Sequence, residues 1–422
     1  MKIMVVGGGG REHAIIKKLK KSKSVTEIYA LPGNGGIAAD AVCVDIGAKD
    51  IEKIVAFAVE NAVDFAVVAP DDPLVMGAVD ALESAGVPCF GPDKRAAVIE
   101  GSKRFSKELM KKYGIPTAEF VTFTELEPAL EYVSHCDIPV VIKADGLALG
   151  KGVIIAKTRA EAADAVTSMM RDKKFGDSGT TVVIEQFLTG PEVSVLAFTD
   201  GKTVKPMVSS MDHKRAGNGD TGLNTGGMGT IAPNPFYTDK IAAECMEKIF
   251  LPTVDAMRAE NRRFKGCLYF GLMLTQNGPY VIEYNCRFGD PETQVVLPLL
   301  ESDLLEIMQS CRNETLDKTE VRFRNGAAAC VVMASDGYPE KYDTGFEIDL
   351  SANKSSEVFV AGAKLENGAL VSSGGRVLGV TAVGETLKDA LDTVYADAAR
   401  ITFKNAYYRD DIGARALSAF KN

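Results

Sequence analysis

Short apolar runs alternate with amphipathic segments through the first hundred residues. The apolar runs lie at residues 2–6, 27–31, 41–46, 64–69 and 87–90, and helical patterns lie near 50–61 and 74–85. Apolar runs of this length that alternate with helices are typical of a doubly wound parallel sheet. We therefore predict an α/β domain over residues 1–101, with its ligand crevice at the carboxyl ends of the strands.

The pattern changes after this first unit. We predict one helix over residues 93–113, strands near 119–122, 140–143, 153–156, 181–188, 193–198, 267–275 and 280–285, and helices near 125–135, 159–171, 239–261 and 303–311. From about residue 326, short strands accompany a single helix near 386–401. The whole chain is thus expected to be an α/β and α+β multidomain protein. Its further units are a central domain (102–120 and 189–326), a small subdomain (121–188) and a C-terminal α+β domain (327–422).

Two glycine-rich loops follow strands of the first unit. They contain Gly8, Gly9, Gly10, Gly33 and Asn34. Backbone N–H groups at the start of a helix stabilise an anion. The dinucleotide fingerprint is not satisfied, because its last glycine would fall at Glu12. The loops therefore predict a smaller phosphorylated ligand, and the alternative is that both are simple tight turns.

Asp71 follows the fourth strand of the same unit. Because the carboxyl ends of parallel strands meet at one edge, Asp71 should lie beside the two glycine loops and accept hydrogen bonds from a substrate. The alternative is that Asp71 and Asp72 cap the helix that begins near residue 74.

A third glycine-dense loop joins the strands near 140–143 and 153–156, and it contains Gly146, Gly150 and Lys151. A glycine loop between two strands indicates a flap over phosphates, whereas a P-loop leads into a helix. Lys143, which ends the first strand, and Lys151 would meet phosphate oxygens as point charges. The alternative is that both are ordinary solvated lysines of a hairpin.

Two further segments indicate ligand contacts. The strand near 181–188 carries Glu185 and Leu188, so it could offer backbone amides to a purine and a carboxylate to ribose hydroxyls. Residues 217–229 are polar and rich in glycine, and we predict a long substrate-binding loop there, since such loops are usually functional or disordered. His213, just before it, is expected to be a hydrogen-bonded histidine and not a base.

The stretch 280–293 carries the strongest chemistry. On a strand, residues two apart share a face, so Glu283 and Asn285 would present a carboxylate and an amide oxygen side by side. These are hard ligands, and so few of them suit a Mg²⁺ ion held jointly with a nucleotide. Arg287 lies two residues further and could clamp a carboxylate or phosphate. The alternative is an edge strand with a polar face and a surface turn.

Composition excludes several classes of protein. The 422 residues carry a net charge of −9, which argues against nucleic-acid binding through phosphate neutralisation. No secretory signal is apparent, and no apolar run reaches membrane-spanning length, so we expect no membrane partner. The 8 cysteines are scattered without a C-x-x-C pair. We expect reduced thiols in a cytoplasmic protein, and a monomer.

Lys103, Lys143, the glycine flap, Glu185 and the Glu283-x-Asn285 strand together resemble the ATP-grasp superfamily. Within it, the chain resembles the phosphoribosylamine–glycine ligase family of purine biosynthesis nearly end to end. The motifs that carry this resemblance are Gly8-Gly9-Gly10-Arg11-Glu12-His13, Pro32-Gly33-Asn34, Ile142-Lys143-Ala144-Asp145-Gly146-Leu147-Ala148, Asp212-His213-Lys214-Arg215, Asn224-Thr225-Gly226-Gly227-Met228-Gly229 and Arg287-Phe288-Gly289-Asp290-Pro291-Glu292-Thr293. The last of these is the most specific.

The resemblance implies an ATP-grasp centre with a lid subdomain, and ligation of glycine to 5-phosphoribosylamine with ATP and Mg²⁺ or Mn²⁺. Arg287, Lys143 and Asp212 would be catalytic, with Glu283 and Asn285 on the metal. Nucleotide contacts would come from Lys103, Lys143, Gly146, Gly150, Lys151, Glu185, Leu188 and Glu192. Substrate contacts would come from Gly8, Gly9, Gly10, Gly33, Asn34, Asp71, Lys214, Asn224, Gly226, Gly227 and Arg287.

Two departures from the family pattern limit what the resemblance implies. Many ATP-grasp enzymes carry another acidic ligand where this chain has Gly271-Leu272-Met273, and relatives usually have glutamate at Asp71. The chain therefore offers no acidic side chain in that stretch for a second metal, and the Asp71 carboxylate is one methylene shorter than that of glutamate. The rival readings are another ATP-grasp ligase or carboxylase, and a non-catalytic ATP-binding sensor.

Overall fold

A computed structural model describes residues 1–148 and 152–419. The N-terminal unit is a five-stranded parallel sheet of order β3-β2-β1-β4-β5, which confirms the predicted doubly wound sheet. Its elements are β1 (Lys2–Gly7), α1 (Gly10–Leu19), β2 (Glu27–Pro32), β3 (Val42–Cys43), α2 (Ile51–Glu60), β4 (Phe65–Val68), α3 (Asp71–Met76), α4 (Ala78–Ser84) and β5 (Cys89–Phe90). Because β2 and β4 flank β1, the loops after these three strands meet at one edge.

Two predicted single helices are broken by one residue each. The predicted helix near 74–85 is divided at Gly77, whose φ of +97° is left-handed and favours glycine. The predicted helix at 93–113 consists of α5 (Lys94–Gly101) and α6 (Lys103–Tyr113). Between them Ser102 is extended, and its Oγ accepts from the N–H of Phe105, as an N-cap does. Lys103 is therefore the first residue of α6.

The lid sheet has the order β6-β9-β7-β8, and all its pairings are antiparallel. Its elements are β6 (Phe120–Phe123), α7 (Leu126–His135), β7 (Val140–Ala144), β8 (Val153–Ala156), α8 (Arg159–Met170) and β9 (Val182–Gln186). Helices α7 and α8 pack on this sheet around a core of its own, which includes Val133, Ile142, Val166 and Ile184. The predicted flap lies between β7 and β8.

The segment between the lid and the central helices is richer in strands than predicted. It contains β10 (Glu192–Thr199), β11 (Val204–Pro206), β12 (Met211–Asp212), β13 (Arg215–Gly217), β14 (Thr221–Asn224) and β15 (Gly229–Ala232). The prediction of a long loop without secondary structure over residues 217–229 is wrong, because β13 and β14 form a hairpin. Alternating polar residues and glycines hid these short strands from pattern analysis.

The central sheet has the order β11-β10-β16-β17 and is antiparallel. Its last two strands are β16 (Gly266–Thr275) and β17 (Gly278–Asn285). The helices of this region are α9 (Asp239–Cys245), α10 (Leu251–Ala259), α11 (Thr293–Leu299) and α12 (Leu304–Asn313). The predicted helix at 239–261 contains a π-helical turn, Met246–Phe250, between α9 and α10. Strand β17 carries a bulge at Ile282, because Gly271 pairs with Glu283 while Leu272 pairs with Val281.

The C-terminal sheet takes strands from the central region. Its order is β12-β15-β18-β22-β19, and β23 pairs with β18. The elements after α12 are β18 (Ala327–Ser335), β19 (Glu357–Val360), β20 (Ala363–Glu366), β21 (Ala369–Ser372), β22 (Arg376–Gly384), α13 (Leu387–Ala398), β23 (Ala406–Tyr407) and α14 (Ala414–Ala419). The predicted α+β character is confirmed, whereas the domain boundaries stay predictions. In the described part of the chain, no helix combines the length and apolarity needed to cross a membrane.

Candidate active site

The two glycine loops of the N-terminal sheet pack against each other. A Cβ on Gly8 would overlap the carbonyl oxygen of Gly33, so this close approach requires glycine. The N–H of Gly9 donates to Glu12 Oε2 at 2.6 Å. Glu12 therefore satisfies one of the donors that the sequence offered to an anion. The roles of Gly8, Gly10 and Gly33 in substrate binding stay predictions.

The side chain of Asn34 is used within the protein. Its Nδ2 donates to the carbonyl oxygens of Gly8 at 2.9 Å and Val360 at 2.7 Å, and its Oδ1 accepts from the N–H groups of Gly36 and Ile37. Both donors of the amide are thus occupied. Asn34 positions the first glycine loop against the C-terminal domain, and its contact with substrate stays a prediction.

Arg287 is held in place by an acid that sequence analysis missed. Glu100, at the end of α5, accepts from Arg287 Nη2 at 3.0 Å and from the N–H of Cys286 at 2.7 Å. Arg287 Nε is buried and has no hydrogen-bond partner among the described residues. Burial raises the pKa of Glu100, although the charge of Arg287 opposes this. The guanidinium is therefore fixed on one side and retains its Nε–H donor for a ligand.

Asp71 lies in the field of two arginines. Burial would raise the pKa of the Asp71 carboxyl, but Arg287 and Arg11 bring it below its usual value. Arg11 is buried, pairs with Glu12 at 2.6 Å and donates to the carbonyl oxygen of Phe288. Asp71 is also the first residue of α3, so its position is compatible with both substrate contact and helix stabilisation.

The C-terminal domain contributes Arg376, at the start of β22, to the same region. Arg376 Nη1 donates to the carbonyl oxygens of Gly226 at 2.6 Å and Asp290 at 3.1 Å, and lies 3.4 Å from Asp290 Oδ1. It ties the glycine turn at 226–227 to the 287–293 motif.

Asp212 and Lys214 lie at the base of the β13–β14 hairpin. Lys214 Nζ lies 3.3 Å from Glu192 Oε2 and 3.6 Å from Glu283 Oε1, and the charge of Glu192 raises the pKa of Lys214. Asp212 Oδ1 is buried, and no group in the described part of the chain forms a hydrogen bond with it. Burial, together with the charge of Glu292, raises the pKa of Asp212 well above its usual value. A cationic ligand beside Asp212 would reverse this shift.

The carboxylate of Glu185 faces lysines in the protein interior. Lys143 Nζ lies 3.0 Å from Glu185 Oε1, and Lys107 Nζ lies 2.8 Å from Glu185 Oε2. Lys143 also donates to the carbonyl oxygen of Ile282 at 2.8 Å, at the bulge of β17. The carboxylate is thus paired with lysines in this structure, and the nucleotide contacts suggested for Glu185 and Leu188 stay predictions.

Lys103 reaches the flap between β7 and β8. Its Nζ donates to the carbonyl oxygen of Gly146 at 3.1 Å, and its N–H donates to the carbonyl oxygen of Asp145. The carboxylate of Asp145 accepts from Ser102 Oγ at 2.9 Å and from the N–H of Arg104 at 2.7 Å. The start of the flap is thus anchored on the N-terminus of α6. The predicted residues Gly150 and Lys151 lie outside the described residues.

Glu283 and Asn285 share one face of β17, as predicted. The Glu283 side chain is 32 % exposed. Burial would raise the pKa of Glu283, but Lys214, Lys143, Lys103 and Arg287 lower it. An ionised carboxylate beside an amide oxygen fits a Mg²⁺ ion that takes its remaining ligands from water and phosphate. Among the described residues no group of three or more His, Cys, Asp or Glu side chains could hold a metal alone.

The substrate motif at 224–227 is shaped by close packing. Gly227 has a φ of +112°, and a Cβ there would lie 2.6 Å from Asp212 Oδ1. The N–H of Gly226 donates to Tyr338 Oη at 3.1 Å. Asn224 pairs with Arg215 at the base of the hairpin. His213 has both ring nitrogens bonded to backbone, at Gly229 and Gly413, which confirms the prediction of a hydrogen-bonded histidine.

Comparison with known sequences covers nearly the whole chain. Models of the phosphoribosylglycinamide synthetase N domain, ATP-grasp (A) domain and C domain match residues 1–100, 101–293 and 328–415. The chain belongs to the phosphoribosylglycinamide synthetase family. Phosphoribosylamine–glycine ligase of Caldanaerobacter subterraneus subsp. tengcongensis is 48% identical over 415 residues, covering 98% of this chain and all of the relative. That of Pasteurella multocida is 47% identical over 427 residues, with both chains fully covered.

Solved structures agree with this assignment. The crystal structure of phosphoribosylamine–glycine ligase from Thermotoga maritima superposes with a TM-score of 0.87 and 33% identity, covering 98% of this chain and 100% of that one. The biotin carboxylase domain of Hydrogenobacter thermophilus 2-oxoglutarate carboxylase, solved with ADP, magnesium and bicarbonate, has a TM-score of 0.73 at 15% identity, over 96% and 91% of the two chains. This second similarity shows the ATP-grasp fold only.

Two charged residues of this synthetase-family site escaped sequence analysis. They are Glu100 and Lys107, and each contacts a residue that the sequence did identify. Both lie on helices whose charged residues look like a solvated face. Only their distance from Arg287 and Glu185 in the folded chain distinguishes them from surface charges.

Proposed function

We propose that the chain ligates glycine to 5-phosphoribosylamine with ATP, giving glycinamide ribonucleotide, ADP and phosphate in de novo purine biosynthesis. Its membership of the phosphoribosylglycinamide synthetase family supports this reaction. The observation that carries the proposal is a pair of buried polar atoms, Arg287 Nε on a guanidinium and Asp212 Oδ1 on a carboxyl group, which have no hydrogen-bond partner among the described residues. They match the carboxylate and ammonium ends of an amino acid.

The first step activates the glycine carboxylate, which is a poor acyl donor. One of its oxygens attacks the γ-phosphorus of ATP, and the bond from that phosphorus to the bridging oxygen breaks, releasing ADP. Lys143 and Lys103 would stabilise the charge on the transferring phosphoryl oxygens. Two observations support this role: both lysine charges lower the pKa of Glu283, and both ammonium groups are held by carbonyl oxygens, at Ile282 and Gly146.

In the second step the amine of phosphoribosylamine attacks the carbonyl carbon of glycyl phosphate. The carbon–oxygen bond breaks, phosphate leaves with its electron pair, and the attacking nitrogen loses a proton. Arg287 and Asp212 would hold the glycyl group in place between the two steps, so that the amine meets the carbonyl at a fixed distance.

Mg²⁺, or Mn²⁺, would be held by Glu283 and Asn285 together with phosphate oxygens of ATP, and it would neutralise charge on those phosphates. The same residues lie on one face of β17. Lys214, which contacts both Glu283 and Glu192, would then join the metal face to the adenosine side of the nucleotide.

Further contacts follow from the positions of the predicted residues. The adenosine would lie against the Glu185 backbone, Leu188 and Glu192, with its phosphates under Gly146. The phosphate and ribose of phosphoribosylamine would lie in the crevice formed by Gly8, Gly10, Gly33 and Asp71, with Asn224, Gly226 and Gly227 on the opposite side. The Arg376 contact to Gly226 supports closure of this crevice by the C-terminal domain.

The proposal is tested by ADP formation from MgATP with each second substrate omitted in turn. ADP release that requires both glycine and phosphoribosylamine supports it. Release with bicarbonate in place of glycine would instead indicate a carboxylase. Nucleotide binding without turnover under any of these conditions would indicate an ATP-binding sensor.

We also propose a cytoplasmic monomer that uses small-molecule substrates and needs neither nucleic acid nor membrane. All eight cysteines are free thiols, and seven of them are buried, which suits a reducing compartment. Sedimentation equilibrium of the purified chain tests the monomer: a mass of twice 45.1 kDa would contradict it.

A further inference from the structure

Arg409 is among the most deeply buried charged side chains of the described residues, with 1 % of its side chain exposed. Burying a guanidinium is unfavourable unless its donors are paired. Arg409 pairs with Asp411 through two nearly parallel contacts, Nε to Oδ1 at 2.7 Å and Nη2 to Oδ2 at 2.9 Å. Its remaining contacts are not within its own segment. Nη1 donates to Asp220 Oδ1 at 2.9 Å and to the carbonyl oxygen of Arg215 at 3.0 Å.

Those two acceptors mark the tip and the base of the β13–β14 hairpin. Asp220 lies in the turn between the strands, where its φ is +54°, and Arg215 begins β13. In the described residues, β13 and β14 form a sheet of two strands that no other strand extends. Two-stranded hairpins are marginally stable in water, so this one needs support from elsewhere in the chain.

The support comes from one short segment, residues 407–413, which we call the strap. Besides Arg409, it makes four contacts with the hairpin and its base. They are Tyr407 Oη to the carbonyl oxygen of Ala216 at 2.8 Å, the N–H of Gly219 to Asp411 Oδ2 at 2.8 Å, the N–H of Asp410 to Asn218 Oδ1 at 3.2 Å, and the N–H of Gly413 to His213 Nε2 at 3.2 Å.

The hairpin connects the two halves of the proposed substrate site. Asp212 and Lys214 immediately precede β13, whereas Asn224 and Gly226 end or follow β14. The base is closed by the N–H and Oγ1 of Thr225, which both donate to the carbonyl oxygen of Lys214, at 2.8 and 2.9 Å. A shift of the hairpin would therefore move Lys214 and the 224–227 turn together.

We propose that the strap, with Arg409 at its centre, positions this hairpin for catalysis, so that Arg409 is a positioning residue acting through Lys214 and the 224–227 turn. This inference rests on the proposed function of those residues. Arg409 would act without touching either substrate, since among the described residues its guanidinium donates only to Asp411, Asp220 and Arg215. Removing it should misplace the glycine and phosphoribosylamine contacts while leaving the nucleotide lysines, which lie on α6 and β7, where they are.

Two variants test the proposal, one at the buried arginine and one at its exposed partner. Arg409→Met removes the guanidinium and keeps an apolar chain in the buried site. Asp220→Ala removes one exposed partner, whose side chain is 58 % exposed, and so carries little risk to folding. For both we expect the KM for glycine or phosphoribosylamine to rise and kcat to fall, by roughly tenfold or more for Arg409→Met, because small misplacements cost rates of this order. ADP affinity should change less than these constants, because Lys103 and Lys143 lie outside the hairpin and only Lys214 connects it to Glu192 and Glu283.

Arg400→Met is the matched control, because Arg400 pairs with Asp397 at the end of α13 and has no contact with the hairpin. Hydrogen exchange measured on the free protein should accelerate in residues 213–227 of Arg409→Met and Asp220→Ala only. A lowered melting temperature with unchanged KM, kcat and exchange at 213–227 would show a purely structural role and overturn the proposal. If the unmodified chain forms no ADP with both glycine and phosphoribosylamine present, the proposed function is refuted instead.

Discussion

At the scale of single residues, the proposed chemistry depends on an excess of positive charge around the carboxylate of Glu283. Glu283 is surrounded by Lys103, Lys143, Lys214 and Arg287, which hold its pKa below the usual value although burial alone would raise it. This excess of cations is balanced when a polyphosphate and its metal enter. Glu283 therefore lies between the cationic side chains of the protein and the proposed binding place of the metal and phosphates.

Replacing Glu283 with Gln keeps the shape and removes the charge. We expect Glu283→Gln to lower kcat/KM for MgATP by about 10²-fold or more, the size of effect seen when charge stabilisation is removed from a reaction centre. The melting temperature should change little, because the side chain is partly exposed. Glu320→Gln, at an exposed ion pair with Arg322, is the control. Near-normal turnover of folded Glu283→Gln at ordinary Mg²⁺ would refute the metal assignment.

Lys107 acts on the same centre from further away. Only 2 % of its side chain is exposed, and burial lowers the pKa of Lys107 to about 8, although the charge of Glu185 opposes the shift. When Lys107 loses its proton, Lys143 is the one cation left on Glu185 within the described residues and is held more tightly there. The KM for ATP should therefore rise as the pH passes about 8.

Lys107→Met should raise the KM for ATP roughly tenfold at neutral pH, the value of one charged hydrogen bond, and abolish this pH dependence. Lys112→Met, at an exposed ion pair on the same helix, is the control. Steady-state kinetics across the pH range provide the measurement. An unchanged pH profile of the KM in Lys107→Met would contradict this role.

At the scale of elements, the break between α5 and α6 connects the lid to the central domain. A helix N-terminus has unsatisfied N–H groups, and here the lid residue Asp145 accepts from Arg104 while Ser102 caps the helix. The same junction places Lys103 against Gly146. The lid is therefore attached where the proposed phosphate contacts lie.

Asp145→Ala should loosen this attachment. We expect the free energy of unfolding to fall by about 1 kcal/mol, as for loss of a helix cap. ADP affinity, measured by calorimetry, should fall about fivefold as Lys103 loses its support. Asp172→Ala, at an exposed ion pair in the lid, should change neither quantity. Equal losses in both variants would show that the effect is one of net charge.

At the scale of the whole molecule, the β19–β20 region of the C-terminal domain is fastened to the N-terminal loops. The N–H of Val360 donates to His13 Nδ1 at 2.9 Å, and His13 Nε2 contacts Asp40 Oδ2 at 3.1 Å. An acceptor at Nδ1 requires the neutral ring with its proton on Nε2. Burial lowers the pKa of His13, although Asp40 opposes this.

This arrangement predicts a loss of stability in mild acid. Because the folded-state pKa lies below the unfolded value of 6.5, the contribution of His13 is complete above that pH and is lost as the pH falls towards the folded-state pKa. His13→Asn retains an acceptor for Val360 without the titration. Its urea unfolding free energy should therefore decline less between about pH 7.5 and 5.5 than that of the unmodified chain.

Burial also lowers the pKa of His213. The His13→Asn variant should therefore keep the part of the acid sensitivity that comes from His213. His135→Asn, at an exposed position of α7, serves as the control and should behave like the unmodified chain. If His13→Asn and the unmodified chain lose stability equally, the His13 contact does not titrate in this range.

The sequence by itself determined the local structure and the main chemistry. Alternation of apolar runs gave the parallel N-terminal sheet, and the two-residue spacing of Glu283 and Asn285 gave their common face. These features depend on neighbours a few residues apart, which is the range over which helix and strand periods act. Two predicted helices break, at Gly77 and at Ser102. Glycine and serine favour turns and helix caps, but this local preference was weaker than the helical pattern of the residues around them.

Tertiary structure alone decided which charges meet. Cys286 and Glu100 are 186 residues apart, Asn34 and Val360 are 326 apart, and Arg409 contacts a hairpin some 190 residues before it. Periodicity carries no information over such separations. The strand that carries Asp212 was also hidden, because it pairs with β15, which in turn joins the C-terminal sheet. Buried charges find partners wherever packing brings them, since an unpaired charge in the interior is unfavourable, and packing is a property of the whole chain.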